Sequence, residues 1–427
     1  MIQRYLAAAA LALAASVSFA QTKEIKIGVI YDLTGPLAAG GSYAGYLGTK
    51  YAIDMINEKG GVGGYKIKPI YADAQSKPEV AINETTRLIE QEKVDMLMGV
   101  FSSAHCVPMA QKADAAKRFF WANICVATNV FRDKNLKYVF RAQIHGDQLG
   151  HSSCHFLAEN AKAKMGKDAK DIKVAIIHED GPYGVGVASG NESACKGHGI
   201  QIAMKEGYAA TSPDLSPLIT KLKRARVDVI LHTGYNPDIT LFLRQAKEQG
   251  LKWSALIGHG AGYGQFDKLY GTFKEDANLI YNVDPVAAQL LDPKSLAPGL
   301  GDVTKEMVRR YKADVKGDEV PPHLSMGFNQ SWIFFTDVLP RAIKSHGGID
   351  SEALRKASME TDIPAGGTIQ GYGVKFFPPG NALAGQNERA SPVVMQYNGR
   401  DTFIVWPTAI KTKDAVLPLP AGHSFAK

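Results

Sequence analysis

The residues best placed to do chemistry sit in short segments that each follow an apolar run. Ser102 and Ser103, in Phe101-Ser102-Ser103-Ala104, come after the run 94–100 and before a helical stretch. Two hydroxyls at such a junction stand beside the unpaired amides of a helical first turn, where the helix dipole favours negative charge. A carboxylate is the guest that suits them, although a serine in this place also serves as an ordinary helix cap. Tyr183, in Asp180-Gly181-Pro182-Tyr183-Gly184, and Tyr235, in Gly234-Tyr235-Asn236-Pro237, take the equivalent place after later runs. Each offers a flat apolar face with a hydroxyl at its edge, which suits closure over a small ligand. A lone loop tyrosine more often packs than binds; two at equivalent positions favour binding.

Nucleophilic chemistry would need Cys125 or Cys106 with a base such as His105, or a serine with a histidine. No nucleophile elbow or zinc-protease motif supports such an arrangement. Binding without catalysis is therefore expected, with an exported Cys/His-dependent hydrolase as the alternative. His151, Cys154 and His155 have helical spacing that fits a metal, yet no fourth ligand accompanies them and a surface helix turn explains them better. No metal and no cofactor are expected.

These residues need elements to hold them. Apolar runs recur at 25–30, 67–71, 94–100, 119–126, 174–177, 200–204, 227–231 and 254–257, with helical stretches between. Runs without polar alternation suit parallel strands covered on both faces, so the class is α/β. Over 42–58, Leu47, Tyr51, Ala52, Met55 and Ile56 share one helical face, and the glycines after Lys59 supply a stop. The helix over 77–92 repeats the pattern with Val80, Ile82, Leu88 and Ile89. The Gly60–Gly64 cluster follows a helix instead of joining a strand to one, which argues against nucleotide binding.

Ligands of open parallel sheets collect at the carboxyl ends of strands. The qualifying loops are 33–42, 101–105, 125–129, 180–184, 233–237 and 258–264. A first series of βα units ends near 141–148 and a second ends within 276–285. A long helical region over 326–345 and strands with turns over 371–407 follow. Two lobes are expected, 21–143 plus 283–373 and 144–282 plus 374–427, with three crossings.

Residues 1–20 carry Arg4, an apolar run from Leu6 to Val17 and then Ser18-Phe19-Ala20, the pattern of an export signal cleaved after Ala20 to leave Gln21 first. The apolar run falls short of the roughly 20 residues a membrane span needs. No cysteine follows the cleavage point, so no lipid anchor is expected. The charge of +7, or +6 without Arg4, is spread without a basic block, which disfavours nucleic acid. After export Cys106, Cys125, Cys154 and Cys195 would meet an oxidising compartment. Four cysteines allow three complete pairings. Cys154 with Cys195, in consecutive helices, is one reasonable bridge, and Cys106 with Cys125, near the ends of successive strands, is another.

Taken together these segments resemble the type I periplasmic binding proteins of the leucine/isoleucine/valine-binding family, the receptors of ABC importers. The likeness is carried by Lys26-Ile27-Gly28-Val29 with Thr34-Gly35-Pro36, Ile56-Asn57-Glu58-Lys59-Gly60-Gly61-Val62, Gly99 to Ser103, Tyr183-Gly184, Gly234-Tyr235-Asn236-Pro237 and Leu243-Arg244-Gln245-Ala246. It implies two Rossmann-like lobes, capture in the cleft by hinge closure, delivery to a permease, a periplasmic location and a monomer. By the resemblance Ser103 is the carboxylate-binding serine, Ser102 stands beside it, and Tyr183 and Tyr235 are cleft tyrosines. Three places depart from the pattern. The loop that holds an acid for the ligand ammonium in amino-acid binders reads Gly258-His259-Gly260-Ala261. Ala39-Gly40-Gly41 stands where relatives carry an aromatic. Ile124-Cys125-Val126 replaces a Thr-containing carboxylate loop, unless Thr128 shifts into it. The expected ligand is a small solute with a carboxylate or amide head in a pocket less suited to a zwitterion, and amino acids proper are the alternative. His259 and Tyr263 are candidates for reading its tail.

Overall fold

The computed structural model describes residues 23–315 and 320–427; the expected export signal and Gln21 lie outside the described residues. The first sheet holds β1 (Lys23–Tyr31), β2 (Tyr65–Asp73), β3 (Met96–Gly99), β4 (Phe119–Ala122) and β5 (Val139–Phe140), all parallel, in the order β2-β1-β3-β4-β5. The second holds β6 (Lys173–Glu179), β7 (Gln201–Tyr208), β8 (Val229–Thr233), β9 (Ala255–His259), β10 (Tyr281–Asp284), β11 (Val393–Asn398) and β12 (Asp401–Trp406). Their order is β12-β11-β10-β9-β8-β6-β7, parallel from β7 to β10, with β11 and β12 antiparallel at one edge.

The apolar runs became strands because helices cover both sheet faces. Ile25, Ile27, Val29 and Ile30 of β1 and Val229, Ile230 and Leu231 of β8 are all buried. β7 differs. It is an edge strand whose exposure alternates along its length, with Lys205 and Glu206 near its end.

Setting aside Val126 and Tyr372, which pack with the second layer from within first-layer segments, the buried residues of the two core clusters change over between Ala142 and Ile144, between Val283 and Ala288, and between Phe376 and Ala390. Buried side chains stitch these crossings together. Arg141 Nε donates to Gln386 Oε1 at 2.6 Å, Gln386 Nε2 to the Gln143 carbonyl at 2.5 Å, and Asn387 Nδ2 to the Ala142 carbonyl at 2.6 Å. The first crossing also grips the loop after β4. Successive carbonyls of Ile124, Cys125, Val126 and Ala127 accept from Gln143 Nε2, Arg141 Nη1, the Gly146 amide and Arg141 Nη1 again. Burial pushes the Arg141 guanidinium down to about 9.

Glycines set two helix contacts. A Cβ at Gly48, in the helix Tyr43–Glu58, would stand 2.2 Å from the Leu324 carbonyl oxygen of the helix Pro322–Ile333. In the second layer a Cβ at Gly150, in the helix Gly146–Asn160, would stand 2.3 Å from the Asn191 amide of the helix Pro182–Gly197. The disulfide Cys154–Cys195 locks that second pair, and Cys106–Cys125 forms in the first layer, so both bridges proposed from the sequence are present.

Candidate functional site

Where the carboxyl ends of the two sheets face each other, residues of both layers enclose a cleft. From the first layer come Phe101, Ser103, Ile124, Val126, His323 and Met326. Leu149, Tyr183, Tyr235, Gly260, Ala261 and Asp284 come from the second layer and the crossings. About 320 Å³ of space lies among these residues, counting its opening to solvent.

Ser103 begins the helix Ser103–Ala115, and no side chain caps that helix. The first-turn amides of Ser103, Ala104 and His105 thus have no partner within the helix. Ser103 Oγ accepts from the Ala127 amide at 3.1 Å, which fixes the rotamer and leaves the hydroxyl proton free to donate. Ser102 turns towards Tyr235 and hydrogen bonds with its phenol. The Tyr235 ring centroid lies 5.4 Å from that of Tyr183 and 6.2 Å from that of Phe101, so the three rings form a continuous wall across the two layers. Tyr183 is oriented by its hydroxyl, which donates to the His259 carbonyl oxygen at 2.6 Å.

Four other residues singled out from the sequence stand elsewhere. Cys125 is not a ligand contact: its sulfur is bonded to Cys106, in the core behind the cleft wall, and its carbonyl is held by Arg141. That bridge also removes the thiol on which the hydrolase alternative depended. Thr128 donates to Asp147 Oδ1 at 2.9 Å and tethers the loop to the next helix, outside the cleft lining. The His259 ring points into the second layer, with Nδ1 2.9 Å from Thr233 Oγ1 and Nε2 3.2 Å from Ser153 Oγ; burial lowers it to about 4. Tyr263 meets His232 Nδ1 through its hydroxyl at 2.7 Å in the same interior. Neither of these two lines the cleft, where the sequence would have them read the ligand's tail. The loop after β9 serves the cleft instead through Gly260 and Ala261, because β9 runs two residues further than the apolar pattern and carries His259 inward.

Two cleft residues escape a reading of the sequence. His323, at the first turn of its helix, meets Phe101 edge-on at 5.3 Å and Gln265 Nε2 through Nδ1 at 3.1 Å. Burial holds it neutral, down to about 3. Gly41 makes room for it: its φ is +129°, and a Cβ there would lie 2.7 Å from His323 Nδ1. The aromatic lacking in the loop after Pro36 is thus replaced by a histidine from a distant helix. Asp284 ends β10, and only its place before Pro285 at the end of an apolar stretch marks it in the sequence.

The interior behind Tyr235 carries a proton-balanced pair. Tyr208 donates to Asp238 Oδ2 at 2.6 Å and meets His232 Nε2 at 2.8 Å. Burial raises Asp238 from 3.8 to about 7 and lowers His232 from 6.5 to about 3. Between roughly pH 4 and 6.5 the folded pair holds one proton, on Asp238, and the unfolded pair holds one, on His232, so their opposed effects on stability cancel. Asp238→Asn removes the compensating acid. Its folding stability is expected to fall by about 1.4 kcal/mol more than the native chain's for each pH unit below about 6.5, read by urea unfolding at several pH values. Parallel pH profiles for the two proteins would refute the balance.

A bound metal has no evident seat. Cys154 is bridged, and no cluster of three or more His, Cys, Asp or Glu suits a metal among the described residues. No helix among them is long and apolar enough to cross a membrane.

The family model for periplasmic binding protein matches residues 24–387. The chain is 34% identical over 395 residues to Leu/Ile/Val-binding protein homolog 7 of Brucella suis, covering 92% of this chain and 94% of that one. It is 31% identical to homolog 8 of Brucella abortus, over 93% and 94%. Among solved structures the fold is similar to the leucine binding protein LivK of Thermotoga maritima, with TM-score 0.71, 22% identity and coverage of 88% and 97%. It is also similar to LivJ of Streptococcus pneumoniae in complex with isoleucine, with TM-score 0.70, 20% identity and coverage of 90% and 100%. The chain belongs to the periplasmic binding protein family, whose members bind solutes outside the cytoplasm.

Proposed function

We propose that this protein captures a small solute with a carboxylate head and an apolar or aromatic tail, of the amino-acid kind its relatives are named for, and delivers it unchanged to the permease of an ABC importer. The observation that carries this reading is Ser103: a donor hydroxyl at an uncapped helical first turn, facing a cleft whose other walls are largely apolar. The head would take the Ser103 hydroxyl and the first-turn amides, and the tail would lie against Ile124, Val126, Leu149 and Met326. Capture would proceed by rotation of the two lobes about the three crossings, bringing Tyr183 and Tyr235 over the guest. The protein would work as an exported monomer, cleaved after Ala20.

The test is thermal-shift screening of the purified mature protein against amino acids, aromatic acids, urea and short amides, with mass analysis of the recovered ligand. Stabilisation by a carboxylate-bearing member recovered intact supports the reading; a converted product overturns it. Ser103→Ala is expected to weaken that ligand about tenfold, the worth of one hydrogen bond to a charged group, and, because it strands the buried Ala127 amide, to lower the stability of the free protein by about 1–3 kcal/mol, measured alongside by urea unfolding. Unchanged affinity in calorimetry would remove Ser103 as the anchor.

A further inference from the structure

Asp284 is a charged residue type in an apolar place with nothing set against it. Its side chain lines the cleft together with Ser103, and it is buried to 1% exposure. Glu179, another buried carboxylate, is satisfied by backbone amides, taking that of Gly181 on one oxygen and that of Gly184 on the other. Asp284 Oδ2 has no hydrogen-bond partner. Among the described residues no lysine or arginine lines the cleft, and the one histidine there, His323, is held neutral by burial. Burial also raises the Asp284 carboxyl well above the usual carboxylate range, opposed only by Asn282. The neighbouring backbone leaves its oxygens open: a Cβ at Gly260 would stand 3.3 Å from Oδ1, and one at Gly264 3.3 Å from Oδ2. Asp32 Oδ2 is also unpartnered, but Asp32 lies outside the cleft lining and faces His105 at 3.4 Å.

A buried acid without a partner is costly, and the cost is relieved when a cation arrives with hydrogen-bond donors. An ammonium supplies both. We propose that Asp284 receives the ligand's ammonium, so that the protein selects apolar α-amino acids over the corresponding carboxylic acids. The proposal rests on the capture reading above. It places the acid on β10, a crossing strand, in a chain whose loop after β9 offers only Gly258-His259-Gly260-Ala261 at the expected position. The zwitterion then lies between the Ser103 turn and Asp284. When it binds, the carboxyl gives up its proton to solvent and becomes the counter-ion of the ammonium.

The experiment uses L-leucine and L-phenylalanine against 4-methylpentanoate and 3-phenylpropanoate, which differ from them by the amino group alone. Calorimetry is run on the native protein and on Asp284→Asn, in two buffers of different ionisation enthalpy. The native protein is expected to prefer the amino acids by at least about a hundredfold, since a site built to pair a group rejects the analogue that lacks it. Their binding should release up to one proton. Asp284→Asn, its fold checked by circular dichroism and thermal unfolding, should lose the preference and the proton release. A native protein that binds acid and amino acid alike, or a variant that keeps the native preference, overturns the assignment of Asp284. Binding of neither class by the native protein overturns the capture reading itself, and this assignment with it.

Discussion

Replacing Cys154 and Cys195 by alanine is expected to lower the unfolding free energy by about 4 kcal/mol, and replacing Cys106 and Cys125 by about 3 kcal/mol. The bridges close chain segments with separations of 41 and 19 residues, and a longer closed segment removes more freedom from the unfolded chain. The two losses should differ in kind as well as size. Cys154–Cys195 joins two helices of the second layer that already meet at Gly150, so its removal is felt as stability alone. Cys106–Cys125 ties the first turns of the Ser103 helix to the loop that carries Ile124 and Val126, so its removal should also weaken ligand capture. Urea unfolding of oxidised native and variant proteins measures the first effect. A loss below about 1 kcal/mol for the longer bridge would mean that the unfolded chain is held together by other contacts.

Gly48→Leu is expected to cost at least about 3 kcal/mol, because the new side chain meets backbone instead of a mobile side-chain end. Its Cβ would fall 2.2 Å from the Leu324 carbonyl oxygen and 2.6 Å from the Phe328 amide, so the two helices must separate. His323 and Met326 ride on the displaced helix, and binding should suffer beyond what stability accounts for. Gly197→Ala is the control. A Cβ there meets nothing within 4 Å, and the variant should stay within about 1 kcal/mol of native in the same denaturation measurement. Equal behaviour of the two variants would refute the close-contact argument.

What can be read from residue order alone follows a physical division. The strands are legible because sheets buried on both faces demand unbroken apolar runs. The Ser103 turn is legible because a hydroxyl pair between such a run and a helix can only cap the helix, bind a guest, or do both. Tyr183 and Tyr235 stand out by their equivalent places after later runs, and the structure puts all three residues in the cleft lining. His259 misleads because strand side chains alternate: two residues more of β9 put it on the same face as Ile257 and turn a loop candidate into an interior one. Cys125 misleads because a residue in a cleft-wall loop can point backwards, and its sulfur meets Cys106 there. His323 and Asp284 are invisible for the opposite reason. They reach the cleft from a helix and a strand far along the chain, through helix contacts and crossings whose geometry no local pattern records.

The grip of the first crossing on the loop 124–127 has a practical outcome for anyone wishing to retune this receptor. Every carbonyl of that loop is held by Arg141, Gln143 or Gly146, so the cleft-lining residues Ile124 and Val126 are fastened to what, on the proposed reading, is the pivot. Enlarging or trimming them would alter which guest fits and, in the same stroke, how readily the jaws shut. Met326 lines the same cavity from a helix that makes none of these bonds. On the proposed reading it is the position at which guest size can be redesigned while the closing motion is left alone.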